Sequence, residues 1–418
     1  MPENYKPLAG VKVLELSTMM AAPSCGKYLA DWGAEVIKIE KGIGDNYRTY
    51  PPTMGIPSVP DCSPLYDNVN GGKRGIVLDI KQPEGMEAMH KLLGWADVFL
   101  TNNRPQALAK NGLDYDSLKE KYPSLIVAQI SSYGLKGPQA NAPGQDTIAF
   151  WVSTGFTADM MVETDNSYPV YGSSGTGDFV TGIGLAFAIV CALYKRKETG
   201  MGDYVVNSLY GMGLWCNSNY NIGCLPQYTW TMPKTRDSSA PGSSPFRCKD
   251  GEWFMSTIVD VKAHWPRFCN AIGKPEWIEP YGTPALQRSV EVRSKLMREC
   301  EKIFLTKTSK EWDEIFTKYD IVHDVLAHYG DFAKKEQAKV NGYAFNVTYP
   351  NGHETTLIRP PMWSEKMGVP EFVPGPMVGQ HTEEVLAELG YTAEQIKDME
   401  AKGAVTQIDL SKYNPYKA

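Results

Sequence analysis

The chain has 418 residues, 42% of them hydrophobic and 22% charged, with a formal net charge of −6. That length accommodates more than one buried core, and the composition is that of an ordinary globular protein. The mildly acidic balance argues against a nucleic-acid-binding surface or a polybasic membrane anchor.

The opening Met1-Pro-Glu-Asn-Tyr-Lys6 has no basic segment followed by an apolar one, so no secretory signal is expected and the protein reads as cytoplasmic. Val11–Ser17 is a β-rich run, Ala21–Trp32 carries apolar residues at helical spacing up to Gly33, and Ala34–Lys41 is a second β-rich run. That is a βαβ unit, which implies parallel strands. The pattern recurs: strand Gly75–Lys81, helix Pro83–Trp95, strand Asp97–Asn102, a short helix Asp116–Lys121 capped by Asp116, and strand Leu125–Ser131. Such regular alternation predicts an α/β protein with a Rossmann-like, doubly wound parallel sheet.

An apolar run, Phe179–Tyr194, follows and reads as a core helix, shorter than the ~20 residues that span a bilayer. After a polar turn come strand Tyr204–Ser208 and a Met-, Leu- and Trp-rich helical segment. The Pro-, Ser- and Gly-rich stretch 225–250 marks a boundary. We expect residues 1–224 to form the first part of a large domain and 225–330 a smaller α/β or α+β domain, with amphipathic helices at 260–271 and 289–318. Residues 331–418 return to the large domain, with a strand at Tyr343–Tyr349 and a final helix at Glu383–Leu389.

Neither a Gly-x-Gly-x-x-Gly after the first strand nor a Walker loop occurs, which removes most support for a nicotinamide, flavin or nucleotide-hydrolysing enzyme. The eight cysteines form no Cys-x-x-Cys pair and the six histidines no ligand spacing, so no metal is expected. Polar islands instead fall at predicted strand ends, where doubly wound sheets bind ligands. They carry Arg48, Lys73, Arg74, Arg104 and Lys136, most of them beside glycines. One cation in a loop is ordinary solvated charge. Several in succession, with backbone N–H groups near, suit a polyphosphate ligand.

The last island, Gly172-Ser-Ser-Gly-Thr-Gly-Asp178, ends in a carboxylate at the mouth of the apolar helix. Taken alone, Asp178 reads as an N-cap.

In order, LAGVKVLELS, LADWGAEVIKIEK, GDNYR, NGGKRGIVLDIKQPEG, ADVFLTNNRPQAL, AQISSYGLKGP, PGQD, Gly177-Asp178, KETGMGD and GQHTEEVLAELGY resemble the blocks of the class III coenzyme A transferases. That family includes formyl-CoA, crotonobetaine and 2-hydroxyacyl CoA transferases, and the resemblance runs from about residue 8 to 390. Within it the likeness is greatest to the (R)-2-hydroxy-acid enzymes, of 2-hydroxyisocaproate and phenyllactate type.

The resemblance implies that Asp178 is the catalytic nucleophile and that Arg48, Lys73, Asn102, Arg104, Tyr133 and Lys136 line the coenzyme A cleft. It places Ala21, Ala22 and Gln145 near the acyl group, and Gly242 in a glycine-rich loop over the site. Trp151, Phe156, Met160 and Met161 are further acyl-pocket candidates, although such stripes are more often plain core. Coenzyme A and acyl-CoA enter as substrates, no cofactor is permanently bound, and an interlocked homodimer is implied. An aspartate at its ordinary pKa of about 3.9 is ionised at neutral pH and needs no base to become a nucleophile.

Alternatives within the family are transferases for formate and oxalate, carnitine-type acids or succinate, and 2-methylacyl-CoA racemases. A racemase needs a second acid/base, and the matching position is Gln145, which cannot accept a proton. The chain also departs from the 2-hydroxy-acid subgroup at Phe179, where a His is usual, and in Pro143-Gly-Gln-Asp-Thr147.

Overall fold

The computed structural model describes residues 5–42, 44–161, 165, 167–170, 172–228, 235–283 and 289–406. Ile43 of the first polar island and residues 229–234 of the loop-like stretch lie outside them. Contacts divide the chain into two compact units: Met1–Phe156 with Tyr171–Ser218 and Ala333–Ala418, and Thr157–Val170 with Asn219–Phe332.

In the first unit β1 (Lys12–Leu16), α1 (Ala21–Asp31) and β2 (Glu35–Glu40) form the opening βαβ, with Val13 opposite Val36. Next come α2 (Pro64–Asn70), β3 (Arg74–Val77), α3 (Pro83–Trp95) and β4 (Val98–Thr101). Two short helices, α4 (Pro105–Lys110) and α5 (Tyr115–Leu118), lead to β5 (Ile126–Ser131). A helical turn, α6 (Phe156–Asp159), starts at the last residue before the chain passes into the second unit, and on its return come α7 (Thr176–Thr199) and β6 (Tyr204–Ser208). The sheet order is β3-β2-β1-β4-β5-β6, parallel throughout, as expected of a doubly wound sheet.

The strands read as nearly continuous apolar runs because both faces are covered. Leu14, Ile37, Phe99 and Val127 pack on α3 and on C-terminal side chains such as Leu386 and Met399. Their sequence neighbours Val13, Val36, Val98 and Ile126 point the other way, onto α1 and α7. Gly182 lets those two helices touch: a Cβ there would strike Ser24 and lie 2.7 Å from the Ala21 carbonyl.

At 24 residues α7 exceeds the apolar run that announces it, and by length and composition it could cross a membrane. One face is nevertheless buried in the layer with α1, through Thr181, Leu185, Ile189 and Leu193. The hairpin β10 (Ala344–Thr348) and β11 (Glu354–Ile358) belongs to this unit, as does the helix Thr382–Glu388, whose Thr382 Oγ1 accepts from the Val77 amide at 3.1 Å.

The second unit holds an antiparallel sheet of β7 (Pro245–Arg247), β8 (Trp253–Ser256) and β9 (His323–Val325). Its core is aromatic: Trp265, Phe268, Phe304, Trp312 and Phe316.

Three local expectations need correction. The cap of α5 is Asp114, not Asp116. The helix expected over 289–318 is two helices, Val290–Phe304 and Ser309–Lys318, because Thr308 and Glu311 form a reciprocal capping box that restarts it. A further helix, Ala393–Ala401, follows the one expected last.

Candidate functional site

In open α/β sheets ligands bind where the strand order reverses; here that is between β1 and β4. Asn102, just past β4, ties the two strand ends together: its Oδ1 accepts from the Thr18 amide at 3.1 Å and its Nδ2 donates to the Thr18 carbonyl at 2.8 Å. A cleft of about 580 Å³ opens at this point, bordered by Thr18, Met20, Tyr47, Asn102, Gln145 and Asp178 among others.

The turn after β1 is strained. Met19 has φ +66°, a left-handed conformation that a residue with a Cβ adopts only when held. Asp45 holds it, its Oδ1 accepting from the Met19 amide at 3.0 Å and from the Tyr47 amide at 2.9 Å. The chain then enters α1 with no side-chain cap. The Ala21 and Ala22 amides meet no acceptor among the described residues, and the next residue, Pro23, has no N–H. Two unpaired amides at a helix N-terminus, one of them on the cleft wall, suit a partly negative oxygen.

Asp178 is not the cap of α7. That position is Gly175, at φ +94°, and Asp178 is the third helical residue. Capping falls to Asp146, at the start of a π-helical turn (Asp146–Trp151). Its Oδ2 accepts from the Gly175 amide at 2.8 Å and its Oδ1 from the Asp178 amide at 3.2 Å. The Asp178 carboxylate meets no hydrogen-bond donor among the described residues and faces the cleft. Burial, and next the Asp146 charge, push its pKa up to about 7. The expectation of an ordinary, fully ionised aspartate is therefore corrected: near pH 7 the group is poised between its two forms.

The cations expected around the cleft divide into two sets. Arg48 and Lys73 turn inward. The Arg48 guanidinium forks onto Glu40 at 2.7 and 3.0 Å, donates to the Pro376 carbonyl and lies over the Tyr66 ring. Lys73 Nζ bridges Glu15 (2.8 Å), Asn70 and the Pro23 carbonyl. With Lys38, which pairs Glu15 and Asp45, they make a buried set of three cations and three anions. Neither Arg48 nor Lys73 borders the cleft, which corrects their sequence-based placement as its lining. Arg104 and Lys136, by contrast, are exposed. Tyr133 is half-buried, its ring 6.1 Å from that of Tyr210.

Ala21 and Gln145 border the cleft, while Ala22 is wholly buried behind Ala21. Gly242 lies in the second unit, packed against Ile258. Trp151 and Phe156 pack on Phe150 rather than lining the cleft, and Met160 and Met161 belong to the second unit. The sequence reading missed Asp45, Tyr47 and Asp146 as site residues. Asp146 caps a helix that starts far along the chain, so no local signal announces it; Asp45 and Tyr47 sit in the GDNYR block, where Arg48 drew attention instead.

A doubly wound sheet with an unpartnered carboxylate at its switch point describes an enzyme site built for small-molecule group transfer. The sequence matches CoA-transferase family III over residues 8–382, and the chain belongs to that family: it is a class III CoA-transferase, moving coenzyme A to a carboxylic acid. It is 37% identical to an (R)-2-hydroxy-4-methylpentanoate CoA-transferase of Clostridioides difficile, covering 94% of this chain and 97% of that one. It is 35% identical to a cinnamoyl-CoA:phenyllactate CoA-transferase of Clostridium sporogenes, covering 96% and 97%. Among solved structures, a CAIB/BAIF family protein from Brucella suis superposes with a TM-score of 0.77 at 26% identity, over 92% of this chain and 100% of that chain.

Proposed function

We propose that the enzyme moves coenzyme A from an acyl-CoA, an enoyl-CoA or a related one, to an (R)-2-hydroxy acid, with Asp178 as the transient covalent carrier. The observation that carries this reading is the Asp178 carboxylate, on the cleft wall and relieved of capping duty by Asp146. The choice of acid is supported by the names of the two relatives above.

In the proposed cycle an Asp178 oxygen attacks the donor thioester carbonyl, and the C–S bond breaks to give a mixed anhydride and CoA thiolate. The thiolate attacks the aspartyl carbonyl, releasing the donor acid with one Asp178 oxygen and leaving an aspartyl-CoA thioester. The acceptor carboxylate attacks that thioester, and the freed thiolate then attacks the acceptor's own carbonyl. The products are the new acyl-CoA and a regenerated Asp178 that keeps one acceptor oxygen. One thioester replaces another, so the exchange is nearly thermoneutral.

The Ala21 amide, on the cleft wall with Ala22 behind it, is assigned to polarise the carbonyl oxygen. Asn102, Arg104, Tyr133 and Lys136 are assigned to coenzyme A, with Arg48 and Lys73 shaping the wall behind them. Gln145 is a neutral contact for the acyl group, which leaves a racemase without its second base. The enzyme is read as a cytoplasmic homodimer.

The test is an acceptor panel with one acyl-CoA donor: 2-hydroxy-4-methylpentanoate, phenyllactate, lactate, formate, oxalate, succinate and a carnitine-type acid. Preference for the two larger 2-hydroxy acids, abolished in D178A, is expected. Preference for oxalate, succinate or a carnitine-type acid would reassign the substrate, and full activity of D178A would remove the mechanism.

A further inference from the structure

Tyr47 is 3% exposed, its ring packed in a corner with Met19, Met20, Leu65 and Phe179 and stacked 6.0 Å from Tyr50. Its phenol oxygen nevertheless meets no hydrogen-bond partner among the described residues, and the residue borders the cleft. A buried tyrosine ordinarily places its hydroxyl on a partner. This one sits in an apolar corner close enough to Asp178 for that charge, after burial and Tyr50, to hold the phenol proton in place. At neutral pH the group is therefore available as a hydrogen-bond donor. Its position is fixed from behind, since Asp45 accepts from the Tyr47 amide and is itself anchored by the buried Lys38 at 3.0 Å.

An acyl group whose carbonyl carbon reaches Asp178 must bring its neighbouring carbon into this region. In the reading above the Ala21 amide is assigned to the carbonyl oxygen and Gln145 to the acyl group, whereas the side chains around Tyr47, Met19, Met20, Leu65 and Phe179, offer the substrate nothing polar. We propose that Tyr47 is a specificity-determining residue, whose phenol donates to the oxygen on the carbon adjacent to the reacting carbonyl and so selects 2-hydroxy acids over their deoxy counterparts. A plain acid bound in the same way would shut water out and strand the phenol without a partner, the situation in which polar sites discriminate most strongly. The inference rests on the functional reading above and goes beyond it by assigning the selection to one atom.

The test compares wild type with Y47F, which keeps the ring and removes only the hydroxyl. The acceptors are 2-hydroxy-4-methylpentanoate and 4-methylpentanoate, with a common acyl-CoA donor. Wild type should prefer the hydroxy acid. In Y47F, kcat/KM for the hydroxy acid should fall about ten- to a hundred-fold while the deoxy acid holds or improves, so that the preference collapses. A parallel loss on both acids, or an unchanged ratio, overturns the assignment although CoA transfer itself stands. If wild-type enzyme transfers to neither acid, the functional reading fails first and this inference with it.

Discussion

Two carboxylates, Asp146 and Asp178, divide between them work that one residue seemed set to do. Asp146 spends its oxygens on the amides at the start of α7 and leaves Asp178 unpartnered, while its charge adds to the burial that lifts Asp178 to about 7. Because only the ionised form is a nucleophile, kcat/KM should rise with pH through about 7 and level off above it. An asparagine at 146 keeps an amide-accepting oxygen but removes the charge. In D146N the rising limb should therefore move to lower pH, by roughly half a unit to one unit. Measuring kcat/KM from pH 5 to 9 checks this; an unmoved limb would mean that Asp146 does not set the Asp178 pKa.

At the scale of elements, the loops after β1 and β2 are held by buried charge. Glu15, Lys38, Asp45, Glu40, Arg48 and Lys73 interlock beneath the turn that carries Met19 and the start of α1. Burial pulls Lys73 down to about 8, and the Glu15 charge restrains that fall. Removing one partner of such a pair strands the other, which costs about 3–5 kcal/mol. K73M should accordingly lose stability on that scale in urea unfolding, with Glu15 left to Lys38 and the Ser17 hydroxyl. A fully stable K73M that has lost only affinity for CoA would return Lys73 to the role its sequence suggested.

The strands of the large sheet, their parallel direction and the helices α1, α3 and α7 were legible in the sequence, because each depends on short-range periodicity and on turn residues. The direction in which Arg48 and Lys73 point was not. A cation beside a glycine loop looks the same in sequence whether it faces a phosphate or a buried glutamate that pairing across β1, β2 and β3 brings beneath it. Asp178 was recognised as special from its turn and its resemblance, but its shifted pKa depends on Asp146, an element away. Tyr47 was read past for the same reason: its ring looks like core, and only its unpartnered oxygen separates it from core.

For the whole molecule, α7 joins the site to an exposed apolar face. Its first turn carries Asp178, one face fills the core, and the opposite side exposes Ile183, Phe187, Val190 and Tyr194 at helical spacing, Phe187 to 71%. An apolar row of this kind is suited to pairing with a second copy. If the homodimer we propose uses it, light scattering should give twice the chain mass for wild type and a lower mass for F187D at micromolar concentration. A dimer unaffected by that substitution would place the interface elsewhere.

The central claim is that the Asp178 carboxylate becomes part of the exchanged anhydride. It is tested most directly by running the reaction with an acceptor acid labelled with ¹⁸O in its carboxylate, then digesting the enzyme and weighing the peptide that contains Asp178. The proposed cycle leaves one acceptor oxygen on that side chain at each turnover, so the peptide should gain ¹⁸O as product forms. Product accumulating through many turnovers while Asp178 stays unlabelled would contradict the account.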